Sequence, residues 1–170
     1  MLKGFFFSLS LALAVWAEPI YNSQGLSFQL PLAFSQPARA GMGAEELHFP
    51  AEAAEAGEVK AEVITFLAGP EQVRSMAEAG QSIDRYFATT YLGVSGLPEQ
   101  VNKAVIGDQG GRHLVYHSAL GRPSRVDIFE RELPDGRFMA VALRTYGLQE
   151  EARIELSEAL RKSLRVVKPG

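Results

Sequence analysis

Between Arg112 and Tyr146, apolar and polar positions alternate with period two through three runs, each closed by turn residues. The first run, His113 to Leu120, sets Leu114, Tyr116 and Leu120 on one face and His113, Val115, His117 and Ala119 on the other. Gly121-Arg122-Pro123-Ser124 turns the chain, with proline supplying a fixed φ. The second run, Arg125 to Leu133, opposes Val126 and Ile128 to Asp127, Phe129 and Arg131. Asp135-Gly136 then marks a hairpin, because glycine tolerates the positive φ of a tight turn. In the third run, Arg137 to Tyr146, both faces are largely apolar, which predicts a central strand covered on each side. The period then changes. Leu148, Ala152, Leu156, Ala159, Leu160 and Leu164 recur at spacings of three and four, and predict an amphipathic helix over 148–164. Glu150 and Glu151 in its first turn and Arg161 and Lys162 in its last suit the helix dipole, and Glu158 can reach Lys162 one turn on.

The same reading applies upstream. Leu26-Ser27-Phe28-Gln29-Leu30 alternates after the turn cluster Asn22-Ser23-Gln24-Gly25 and stops at Pro31, a short strand and the second arm of a hairpin. Residues 35–43 read as loop, 46–50 as a short strand and 51–56 as a connector. Glu58 to Ala68 is a strand, with Val59, Ala61, Val63, Thr65 and Leu67 on one face and Ile64 and Phe66 on the other. Pro70 suits a first helical turn, so Glu71 to Ala79 reads as a short helix stopped by Gly80. Ser82 is placed to cap a second helix whose Ile83, Tyr86, Phe87, Thr90 and Tyr91 recur at helical spacing up to Gly93. That aromatic stripe reads as core before it reads as the lining of a pocket. Asn102 to Ile106 is a further strand, 107–111 a turn, and Arg165-Val166-Val167 an extended tail.

The first seventeen residues are a different object. Lys3 gives a positive start, Phe5 to Trp16 an apolar run of twelve, and Val15-Trp16-Ala17 a small-x-Ala exit. This is the pattern of a secretory leader over 1–17, with cleavage expected after Ala17 and a single domain over 18–170. The alternative is a retained anchor, but the run falls short of the roughly 20 residues of a membrane span, and no such span is expected in the mature chain. The protein is therefore expected outside the cytoplasm, periplasmic or secreted. With no cysteine in 170 residues there is no lipoprotein-type anchor after the leader, no disulfide and no thiolate chemistry. Residues 18–100 carry 11 acids and 4 bases, whereas residues 101–170 carry 9 acids and 12 bases. The excess of base reads as a solvated surface rather than a basic face, because Asp127, Glu130, Glu132 and Asp135 lie among the arginines. There is no basic run and no reader motif for nucleic acid.

The stretch Tyr21-Asn22-Ser23-Gln24-Gly25-Leu26-Ser27-Phe28-Gln29-Leu30-Pro31, with Phe34 three beyond the proline, resembles the opening of the PsbP-like group. That group includes the extrinsic protein of photosystem II and many bacterial exported proteins. The antiparallel strands and long helix of Arg137–Leu164 are similar to its close. The resemblance implies an α+β fold, an antiparallel sheet with helices packed on it as an α-β-α sandwich. It also implies a non-enzymatic role as an accessory, assembly or binding protein beside a larger complex. No set of functional residues carries over with it.

Chemistry in the sequence is sparse. Gly93-Val94-Ser95-Gly96 lacks the glycine that a nucleophile elbow needs where Leu97 stands, and lacks the strand before it. Gly41-Met42-Gly43 follows no strand. The adjacent pairs Glu45-Glu46 and Glu150-Glu151 point their side chains apart, and no acid spacing fits calcium. Of His48, His113 and His117, the last two have ligand spacing only on a helix. On a strand their Cα atoms stand roughly 13 Å apart, too far for one zinc, so both are expected to be surface or partner-facing. The sequence thus assigns no catalytic residue, no metal ligand and no cofactor, and leaves the binding residues open. It favours a non-enzymatic accessory or binding protein, acting beside a membrane-associated complex or holding a small apolar ligand. The alternative is a hydrolase with a site assembled from distant loops.

Overall fold

Alternation in strands and three-four spacing in helices set the elements seen in the computed structural model, which describes residues 18–34, 38–39, 44–49, 59–118 and 122–167. The expected leader, the motif at 41–43 and the connector at 51–56 lie outside the described residues. In chain order the elements are β1 (Ile20–Ser23), β2 (Leu26–Gln29), β3 (Ala38–Arg39), β4 (Ala44–Phe49), β5 (Ala61–Ala68) and α1 (Pro70–Glu78). There follow α2 (Ile83–Tyr86), which widens into a π-turn over Phe87–Tyr91, then β6 (Gln100–Ile106), β7 (Gln109–Ser118) and β8 (Ser124–Glu132). The chain closes with β9 (Phe138–Thr145), α3 (Glu150–Ser163) and β10 (Arg165–Val166).

Seven strands form one antiparallel sheet in the order β3-β4-β5-β9-β8-β7-β6. β9 lies between β5 and β8, as its two apolar faces predict. Because side chains alternate across a strand, adjacent residues of β8 and β9 feed two separate cores. On one face Val63, Phe129, Met139, Val141 and Leu143 pack with Leu156 and Leu160 of α3 and with Leu26, Phe28 and Leu30. On the other Ile64, Phe66, Leu114, Ile128, Ala140 and Ala142 pack with Phe87, Ala88 and Leu92. The result is a mixed α/β fold, an antiparallel sheet sandwiched by packed helices. Among the described residues no helix is long and apolar enough to cross a membrane.

The hairpin β1-β2 belongs to a second sheet of order β1-β2-β10, closed by the expected C-terminal tail. Its two-residue turn holds both Gln24 (φ 51) and Gly25 (φ 79) in the left-handed region. Ser163 of α3 ties this sheet down by accepting from Gln29 N–H (2.8 Å) and donating to Gln29 O (3.1 Å). Ser23 Oγ donates to Glu45 Oε2 (2.5 Å) and lies 2.5 Å from Thr65 Oγ1, which joins the small sheet to the large one.

Three expectations need correction. The loop placed over 35–43 contains β3, whose Ala38 and Arg39 pair with Glu46 and Glu45 of β4. Gly110 and Gly111, read as turn, lie inside β7, because the hairpin from β6 closes over just Gly107 (φ 62) and Asp108. Ser82 stands at the cap position of α2, but its side chain makes no capping hydrogen bond. The aromatic stripe is core in part: Phe87 is buried and stacks on Phe66 with ring centroids 5.3 Å apart, Tyr86 and Tyr91 pack against it half-buried, Ile83 lines a groove and Thr90 is exposed.

Candidate functional site

A groove of about 990 Å³ opens between α1-α2 and the β6-β7-β8 end of the sheet. The sequence explains why it is there. Gly110 points its missing side chain at this face, and a Cβ built on it would meet nothing within 4 Å. The sheet is therefore bare opposite α1, a helix that buries none of its own residues. Val73 and Ala77 of α1, Ile83 of α2, Val105 of β6 and Phe138 of β9 make the walls largely apolar. Gly111, one residue on, faces the other way. A Cβ there would stand 2.5 Å from Ile106 Cδ1 and 2.7 Å from the Glu130 carbonyl oxygen, so only glycine fits.

Charge is concentrated at one end of the groove. Glu130, in the middle of β8, has a side chain 1% exposed and is bound by Arg112 Nη2. The same nitrogen donates to Asp84 Oδ2 of α2 at 2.7 Å. Arg112 itself is 50% exposed, so one guanidinium bridges two carboxylates from different elements while still reaching the open groove. Burial pushes the Glu130 carboxyl up, and Asp84 adds repulsion. Arg112 opposes both and leaves it at about 7. Burial opposes the charge of Arg112, but Glu130 and Asp84 together raise its pKa. Lys103 of β6 also borders the groove, exposed and, among the described residues, without an ion pair.

The face covered by α3 holds a second buried carboxylate. Asp127 is fully buried beneath α3, with His113 Nε2 at 2.8 Å, Arg153 Nη1 at 3.3 Å and Arg125 Nε at 3.4 Å. Burial works to raise its pKa, but the His113 hydrogen bond and the Arg125 and Arg153 charges outweigh it and hold the carboxyl below its ordinary value. A cleft of about 450 Å³ lies beside this cluster, rimmed by His117, Ser118, Arg125 and Arg153. Glu150 occupies Arg153 from the same helix through two contacts of 2.9 and 2.5 Å.

His113 and His117 are on a strand, as expected, but they differ in exposure. His117 is half exposed and pairs with Glu99 at 2.7 Å. His113 is packed inward, stacked on Phe129 with ring centroids 4.7 Å apart and bonded to Asp127. The expectation that both face solvent or a partner is therefore wrong for His113. The aromatic ring beside it and the buried acid below draw the imidazole in. Reading Asp127 and Glu130 as solvated is also wrong, because both faces of the sheet are covered at the middle of β8, whereas Glu132 at its end and Asp135 in the following turn are exposed. His48 lies on β4, opposite Glu62. Of the glutamate pairs, Glu150 reaches Arg153 while Glu151 is exposed, and Glu45 reaches Ser23.

For acyl transfer, His113 and Asp127 have the arrangement of a base and its orienting acid. Among the described residues no serine hydroxyl hydrogen-bonds to His113, and Asp127 is shared with two arginines. Ser95 lies exposed in the loop between α2 and β6. One signal in the sequence points to the site: an acid at the centre of an apolar strand, as at Asp127 and Glu130, must either be buried with a partner or sit at a sheet edge.

No family model and no curated protein sequence matches the chain. Among solved structures it is similar to a crystal structure from Bacteroides thetaiotaomicron VPI-5482 at 1.50 Å resolution, with a TM-score of 0.53 and 10% identity. The likeness covers 90% of this chain and 50% of that one, so the chain spans half the length of the structure it matches. At this identity what the two share is the fold, an α+β sandwich of antiparallel sheet and packed helices.

Proposed function

We propose that the chain is an exported, non-enzymatic accessory or binding protein of the PsbP-like kind, and that it holds its ligand in the groove beneath α1. The groove carries this reading. It is of the size that takes a small molecule, its walls are apolar, and its polar groups converge at one end on Arg112. The opening stretch from Tyr21 to Pro31 and the α+β sandwich agree with a PsbP-like accessory role beside a membrane-associated complex. The expected leader agrees with export.

Anilinonaphthalene sulfonate, an apolar ring system with one anionic group, is the test probe. Its emission should rise saturably with the purified protein. Gly110→Phe, which adds a ring where a Cβ meets no neighbour, should abolish that rise while leaving the circular dichroism unchanged. Dye emission equal in the two proteins, or absent from both, overturns the groove as the binding site.

A further inference from the structure

We infer that the groove's ligand is an extended peptide that adds a strand to the outer edge of β6, with a carboxylate side chain facing Lys103. This rests on the groove reading and names the class of molecule that fills it.

β6 is the last strand of the seven-stranded sheet, and among the described residues no chain pairs with its outer edge. Antiparallel pairing alternates between residues that exchange hydrogen bonds with the neighbour and residues that turn theirs outward. The two-residue turn at Gly107-Asp108 makes Ile106 and Gln109 a bonded pair, and the register then makes Ala104, Asn102 and Gln100 bonded pairs with Gly111, His113 and Val115. Val101, Lys103 and Val105 therefore direct N–H and C=O away from the sheet. One contact verifies the parity: Arg161 Nη1 donates to Val105 O at 2.5 Å from outside. That arginine takes the Val105 carbonyl, whereas among the described residues nothing bonds the outward groups of Val101 and Lys103, so a peptide pairs its backbone with those two and reaches Val105 with a side chain alone.

The side chains of the same three residues stand on the groove face. Val101 and Val105 are each 56% exposed, unusually bare for valines on a sheet, and Lys103 lies between them without an ion pair among the described residues. A peptide laid along this edge sets alternate side chains over Val101, Lys103 and Val105, beside the groove that begins at Lys103 and Val105. The pattern it must carry is apolar, any, acidic, any, apolar. Lys103 also argues against a second copy of this chain. A two-fold pairing centred on it places lysine directly against lysine, the repulsion by which edge strands avoid self-association.

Two fluorescent heptapeptides test this, both Thr-Val-Thr-X-Thr-Val-Thr, one with glutamate and one with lysine at X. By anisotropy with the purified protein, the glutamate peptide should bind saturably and about tenfold more tightly than the lysine peptide. Lys103→Glu should reverse that order. Methylating the backbone nitrogen of the central residue, which faces β6, should abolish binding; methylating the next nitrogen, which faces away, should not. Equal binding of the two charges, equal effects of the two methylations, or no binding at all overturns the proposal, as does a dimer in sedimentation that Val101→Pro dissociates. If the dye binds as above and the peptides do not, the groove remains a site and the peptide is the wrong ligand.

Discussion

Glu130 and Asp127 lie three residues apart on β8 and respond to pH in opposite directions. Glu130 is held at about 7 against an ordinary 4.5, so the folded state keeps its proton more tightly than the unfolded chain does. Its contribution is therefore fully present below about pH 4.5 and is lost as pH rises toward 7. Asp127 is lowered, so its contribution is present above 3.8 and is lost as pH falls through its folded-state value. Urea midpoints measured from pH 4.5 to 7 should fall with rising pH, and Glu130→Gln should flatten that fall by about one proton per molecule. Parallel slopes in the two proteins would show that Glu130 is ionised throughout. Steric demand is equally local. Gly111→Ala must drive a Cβ into the Ile106 side chain and the Glu130 carbonyl, at a cost of about 1–3 kcal/mol by the same titration. Gly110→Ala meets no atom and should cost less than about 1 kcal/mol.

At the scale of elements, α3 shows how far pattern reaches. Its stripe predicted Leu156 and Leu160 inward, and both are fully buried, while Ile154, off the stripe, is 47% exposed. Leu156→Ala should cost about 2–5 kcal/mol and Ile154→Ala well under half of that, read as urea midpoints at constant slope. Equal losses would put the wrong face on the sheet. The stripe did not reveal that Arg153 and Ser157 also turn inward, since Arg153 is buried for the sake of an acid on another element. Periodicity reports which face is apolar and says nothing about a polar side chain that finds its partner across the core. The same limit explains the groove. Its bare floor is a glycine inside a strand, Gly110, and a glycine pair before a strand reads as a turn until the register of β6 and β7 is known. Legible were the longer strands, the hairpin at Asp135-Gly136, the centrality of β9 and the helix α3, but not the two-residue β3. Hidden were the strand order, the separate small sheet and every charge pair that joins distant elements.

The described residues form a seven-stranded sheet with a core on either side and a second, three-stranded sheet packed into one of them, and the chain's only tryptophan, Trp16, lies in the expected leader. Protein recovered from outside the cytoplasm should therefore begin at Glu18 and show tyrosine emission without tryptophan emission. A tryptophan signal in that material would mean the leader is retained. The two cores are chemically separate but mechanically shared, because neighbours such as Ile128 and Phe129, or Val141 and Ala142, enter opposite cores from one backbone. Unfolding one core strips the backing from the strands that build the other, so a single cooperative transition is expected. Side chains on opposite faces do not touch through the sheet, however, so their losses should add. Ile64→Val on the α2 side should cost about 0.5–1.5 kcal/mol, and combined with Leu156→Ala the total should equal the sum within about 0.5 kcal/mol. Circular dichroism and tyrosine emission should follow one urea transition in all four proteins. Two separated transitions would mean that the α3 side folds without the groove side. A coupling above about 1 kcal/mol in a single transition would mean that the sheet passes strain from one face to the other, and thus from the Asp127 cluster to the groove.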